Sequence, residues 1–75
     1  MRRYGYPYNG KRYLLNTNTK EVHDLDNESH YCYINDIKLE HVKMFDNLND
    51  ALCFPYSTIR ENDGCYWCLP NHHTK

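Results

Sequence analysis

Asp63-Gly64-Cys65-Tyr66-Trp67-Cys68-Leu69 is the stretch on which the fold turns. Two cysteines spaced C-x-x-C behind a glycine make a tight knuckle. Both thiols then point at one centre, and backbone N–H groups of the turn can donate to the sulfurs. One knuckle is half of a tetrahedral metal site. Upstream, Val22-His23 and Tyr31-Cys32 offer an imidazole and a third thiol. His23, Cys32, Cys65 and Cys68 together form a closed set of one imidazole and three thiolates, the donor pattern of a structural Zn2+ rather than a catalytic one. The competing uses of Cys65 and Cys68 are a redox or disulfide pair, or uncommitted thiols.

The rest of the chain makes a staple the expectation. Its 75 residues suffice for one small domain, and chains of this size bury only about 60% of the surface their unfolded form exposes. The hydrophobic fraction of 40% overstates the core, because eight of those residues are tyrosines with a polar end. Chains this short often need a metal or disulfides to offset conformational entropy. Four cysteines permit two disulfides, but no apolar segment follows the basic start Met1-Arg2-Arg3, so no secretory signal is read. No stretch approaches the roughly 20 apolar residues of a membrane span. The expectation is a cytoplasmic protein without a membrane partner, where thiols stay reduced and spaced thiols hold metal.

Charge is unevenly spread although the net value is only −1: residues 1–20 carry +5, residues 21–50 carry −6, and the remainder sums to zero. Residues 1–10, MRRYGYPYNG, read as an extended arm in which Arg2 and Arg3 alternate with tyrosines. That interleaving suits single-stranded nucleic acid, with arginines on phosphates and rings on bases. It equally suits an arm that neutralises the acidic segment of its own domain.

Residues 11–16 (KRYLLN) read as a strand and residues 21–25 as its partner, joined by Asn16-Thr17-Asn18-Thr19, residues whose side chains bond their own backbone in turns. This hairpin carries His23. Residues 26–31 form a polar loop leading to Cys32. Residues 33–39 are a short strand or turn, and residues 39–42 suggest one helical turn. The clearest helix follows Phe45, capped by Asp46 or Asn47, with Leu48, Ala51 and Leu52 on one face. It must stop before Pro55. Residues 56–64 read as a polar loop, and 71–75 as a tail. The fold class is α+β: an N-terminal β-hairpin, one short helix and a C-terminal knuckle, with an arm at 1–10, a zinc-stapled domain at 11–70 and a tail at 71–75.

That order of elements resembles the Ada-type metal-binding domain and, more narrowly, the small bacterial Ada-like zinc proteins. The residues that carry the resemblance are Asn16-Thr17-Asn18-Thr19-Lys20-Glu21-Val22-His23-Asp24-Leu25-Asp26-Asn27-Glu28, Cys32, Glu40-His41-Val42, Phe45-Asp46-Asn47-Leu48, Ala51-Leu52 and Asp63-Gly64-Cys65-Tyr66-Trp67-Cys68-Leu69. In the DNA-repair members of that family a metal-bound cysteine accepts a methyl group from a DNA phosphotriester. Here the matching position is His23, whose lone pair a metal would occupy, so methyl transfer by that route is not expected. Two departures from the family pattern are a longer spacing between His23 and Cys32 and a longer stretch at 54–62. The latter is a solvated insertion or a recognition loop.

Other donors compete for roles. His30 is a rival to His23, but two residues from Cys32 on a strand it reaches the same ion only through a sharp bend. Cys53 continues the apolar face of the helix and reads as a small buried residue. His72 and His73 read as part of a mobile tail, and His41 as solvent-facing. Trp67 is expected to cap the metal site, with Tyr66 pointing the opposite way as a surface contact. No catalytic constellation is present, and four protein ligands leave zinc no open position for water. The sequence thus implies a non-enzymatic zinc-finger-like accessory protein, of bacterial or phage type by fold-level association, with no small-molecule substrate. Its partner would be a protein or a nucleic acid, contacted through Arg2, Arg3, Arg12, Tyr66 and the 54–62 loop. The alternatives are a nucleic-acid binder working through the arm, or a thiol redox sensor working through Cys65 and Cys68.

Overall fold

A computed structural model describes residues 1–56 and 58–74; Ser57, within the 54–62 loop, and Lys75, at the end of the tail, lie outside the described residues. Strands β1 (Tyr13–Asn16) and β2 (Glu21–Asp24) form the expected hairpin. Its turn is closed by Asn16, whose side-chain oxygen accepts the N–H groups of Asn18 and Thr19 at 3.0 and 3.3 Å. Two further strands complete a four-stranded sheet in the order β3-β1-β2-β4. Strand β3 (Val42–Phe45) runs antiparallel to β1, and the two-residue β4 (Asp63–Gly64) runs parallel to β2.

Because β1 and β2 occupy the centre, both sheet faces are covered. Leu14 and Leu15 are adjacent and both buried, as are Val22 and His23. The register pairs Leu14 with His23 and Leu15 with Val22. Cross-strand partners share a face, so His23 lies beside Leu14 on one face while Leu15 and Val22 define the other. Leu15 borders a small apolar cleft with Phe54 and Pro55, which places the end of helix α1 (Leu48–Cys53) over the Leu15 face.

Helix α1 starts where the sequence indicates, and Asn47 rather than Asp46 is its cap: the Asn47 side chain accepts from the N–H groups of Asn49 and Asp50. Its other end is secured by buried Asn62, whose amide donates to the carbonyls of Ala51 and Phe54 at 2.8 and 2.9 Å. Short 3-10 turns connect the elements, among them His30–Cys32, Ile34–Asp36 and Leu39–His41. The segment expected as a strand or turn at 33–39 is therefore a turn, and the single helical turn at 39–42 is present in 3-10 form. The stretch 56–64, read as loop throughout, ends in β4.

The arm is folded back rather than extended. Tyr8 and Gly10 donate backbone hydrogen bonds to Gly5 and Arg3, and Tyr8 packs against the core. Residues 72–74 are also docked. The His73 ring nitrogen lies 3.0 Å from the Gly64 carbonyl, and Thr74 donates twice to Asp63. Among the described residues, no helix is long and apolar enough to cross a membrane.

Candidate metal centre

The four donors gathered by sequence reasoning converge in space. Ligand atoms of His23, Cys32, Cys65 and Cys68 all lie within 4.8 Å of one another, and all four residues are buried. His23 comes from the middle of β2, where strand alternation turns it to the Leu14 face. Cys32 closes the His30–Cys32 turn, whose start is capped by Ser29 accepting from the Tyr31 N–H and whose exit is the left-handed Tyr33 at φ 51°. Cys65 and Cys68 follow β4, which the parallel pairing sets beside β2: Cys65 N–H donates to the Val22 carbonyl at 2.8 Å. The knuckle closes with Leu69 N–H donating to the Cys65 carbonyl at 2.8 Å.

The spacing suits a tetrahedral ion. Thiolates at about 2.3 Å from a tetrahedral zinc stand about 3.8 Å apart. Cys32 Sγ and Cys65 Sγ are 3.7 Å apart, and Cys68 Sγ is 3.8 Å from His23 Nδ1. A disulfide would need about 2.05 Å, and all four cysteines are free. Backbone donors already face the sulfurs: the Asp24 N–H lies 3.2 Å from Cys68 Sγ and the Trp67 N–H 3.4 Å from Cys65 Sγ.

Titration behaviour agrees with a cluster that lacks a counter-charge of its own. A hydrogen bond from Cys68 holds the Cys65 thiol down at about 3. The same contact, followed by burial, pushes Cys68 up, so the pair retains one proton between them. Burial also raises Cys32. All four arginines are committed elsewhere, to Asp26, Glu28, Asp24 and Asp63. A bound dication would supply the charge that lets three thiols ionise together, and the donor set of one imidazole and three thiolates fits Zn2+.

A second layer of residues holds these donors, and sequence reasoning did not find it. Asp24, next to His23, is buried with its carboxylate gripped by Arg12 at 2.8 and 2.9 Å. The same carboxylate accepts the Asp26 N–H, while the Asp24 N–H reaches Cys68 Sγ. Asn27 donates to the Cys68 carbonyl at 3.0 Å. The adjacency of Asp24 to His23 was the one available signal.

Arg2, Arg3 and Arg12, expected at a partner surface, are each bonded to the chain's own carboxylates: Arg2 to Asp26, Arg3 to Glu28 and Arg12 to Asp24. The arm thus neutralises the acidic segment of its own domain. His30 is exposed beside Tyr31 and Tyr33, outside the cluster. Cys53 is buried with Sγ 3.9 Å from Asn49 Oδ1. His41 is half-buried and shares a cleft with His23 and Cys32.

The Trp67 ring is half exposed and packs against Tyr31 at 4.8 Å. The two cysteines of a knuckle point inward, so the residues between them point out. Tyr66 and Trp67 consequently meet edge to face on the surface at 5.0 Å. The Trp67 backbone faces the centre, its N–H lying 3.4 Å from Cys65 Sγ.

No known protein family, curated protein or solved structure matches the chain.

Proposed function

We propose that the chain is a non-enzymatic binding module whose fold is held by Zn2+ on His23, Cys32, Cys65 and Cys68. The observation that carries this is the convergence of four buried donor atoms within 4.8 Å, drawn from three separated segments. Four protein donors complete a tetrahedron and leave no position for a reacting water, which favours a structural role. When bound, the ion supplies folding free energy, about 10–16 kcal/mol for sites of this kind, comparable to or larger than the whole stability of a small domain. The likeness to Ada-type domains remains one of element order: hairpin histidine, cysteine, short helix and knuckle. With an imidazole in place of the acceptor thiolate, the module is read as a binder of a partner macromolecule rather than a methyl acceptor.

Native mass spectrometry of the untagged chain, with and without a strong chelator and alongside circular dichroism, tests this. One zinc per chain and loss of structure on its removal are expected. Cys68→Ser should abolish zinc retention, whereas Cys53→Ser should keep one zinc per chain. A chain that stays folded without metal would overturn the proposal and return Cys65 and Cys68 to redox or disulfide chemistry.

A further inference from the structure

Six rings run in an unbroken row over the outside of the metal centre. From Tyr33 they pass through His30, Tyr31, Trp67 and Tyr66 to His73, with centroid steps of 6.1, 5.6, 4.8, 5.0 and 5.5 Å. Four of them stand half out of the protein: Tyr31 is 54%, Tyr33 57%, Tyr66 59% and Trp67 51% exposed. Tyr31 adjoins Cys32, and Tyr66 and Trp67 lie between Cys65 and Cys68, so the row is fixed in place by the residues that hold the metal. A domain with few apolar side chains leaves its only tryptophan in this row. Tryptophan and tyrosine in that setting are the residue types that dominate interface energetics.

Charge selects the occupant. Elsewhere four rings lie under the chain's own cations: Arg3 lies over Tyr8, Arg12 over Tyr13, and Lys43 over Phe45 and Phe54, while Tyr4, Tyr6 and Tyr56 stand exposed singly. Among the described residues, no arginine or lysine lies over any ring of the row. At one end, His30 and Tyr33 share a cleft of about 230 Å³ with the carboxylates of Glu28 and Asp36. Asp36 has no ion pair among the described residues. Ring faces and a free carboxylate attract a cation, and a guanidinium can stack and pair at once. A nucleic-acid strand would need several cations for its phosphates; all four arginines are already bonded to carboxylates, and beside the row, among the described residues, Lys38 alone shares a cleft with Tyr33 and Asp36.

We propose that this ring row, with Asp36 at its end, is a docking surface for an arginine-bearing segment of a partner protein. The proposal rests on the zinc-stapled module described above and names its contact face. NMR titration of the zinc-loaded, folded chain tests it. The probes are a capped glycine peptide with two arginines, its citrulline counterpart, and a short oligothymidylate, each at millimolar concentration. The arginine peptide should shift the Trp67 indole and the Tyr31 and Tyr66 ring signals, while the citrulline peptide should not. Tyr31→Ala should weaken the arginine peptide about 2- to 30-fold, and Asp36→Asn, which leaves every ring in place, should weaken it as well. Shifts caused by the oligonucleotide but not the peptide, or by neither, would overturn the proposal. Zinc content and circular dichroism are read on the same sample, so a blank titration on loaded, folded protein counts against the docking surface and not against the metal centre.

Discussion

Asp24 and Arg12 show how much of a metal centre lies beyond its donors. Asp24 is buried, its carboxylate is held by Arg12, and its N–H faces Cys68 Sγ. Truncating Arg12 leaves a buried carboxylate without its partner, and charged hydrogen bonds of this kind are worth about 1.5–3 kcal/mol. Arg12→Ala is therefore expected to lower stability by about that amount in urea titration while retaining one zinc per chain. An unchanged midpoint would show that Asp24 finds water instead. The four donors were legible in the sequence because their types and the C-x-x-C spacing impose a geometry. The Arg12–Asp24 pair was not, because it exists only through strand register: Arg12 precedes Tyr13, which pairs with Asp24 across the hairpin. The carboxylate partners of Arg2, Arg3 and Arg12 were hidden for the same reason, since a sequence shows charges but not which of them face each other.

Elements with strong local signals were readable, and those made by tertiary pairing were not. The hairpin announces itself through Asn16-Thr17-Asn18-Thr19, and helix α1 through Asn47 and Pro55. Strand β3 is four residues beside β1, and β4 is two residues paired with β2, which lies some forty positions earlier. Neither is long enough to show a period. Gly64 in β4 illustrates what such a short element does. A Cβ there would fall 2.7 Å from His72 Cβ, 2.9 Å from the His72 carbonyl carbon and 2.9 Å from the Leu69 carbonyl oxygen. The turn Pro70–His72 sits directly on the glycine. Overpacking a tight site costs about 1–3 kcal/mol, so Gly64→Ala should lower the thermal midpoint. It should also expose the Thr74 amide, now bonded to Asp63, to hydrogen exchange. Retained protection at Thr74 would refute this account of the tail.

For the molecule as a whole, the candidate metal centre and the hydrophobic core are one object: Cys32, Cys65 and Cys68 belong to the same buried cluster as Leu14, Leu25 and Ile34. Acid should reveal this. Glu28 lies below its ordinary value in the folded chain, chiefly because Arg3 hydrogen-bonds its charged form, and Asp26 does likewise through Arg2. A carboxyl lowered on folding contributes stability in full above its unfolded value, near about pH 4, and loses it as pH falls through the lower folded value. Between about pH 7 and 5 these carboxylates therefore add no slope. If the proposed metal is bound, loss of stability in that window is expected from the ligand set as a whole taking up protons as the metal leaves. Glu28→Gln should lower stability without changing the slope between about pH 7 and 5, measured by urea titration at constant free zinc; a flattened slope would place the acid sensitivity in the arm. The long reach from His23 to Cys65 has a further consequence during synthesis. A growing chain that has emerged only through the helix holds His23 and Cys32 but no knuckle, and two donors cannot close a tetrahedron. On the proposed zinc-dependent fold, a ribosome that stops anywhere short of Cys68 is expected to make no smaller version of this domain, only an unstructured fragment left for proteolysis.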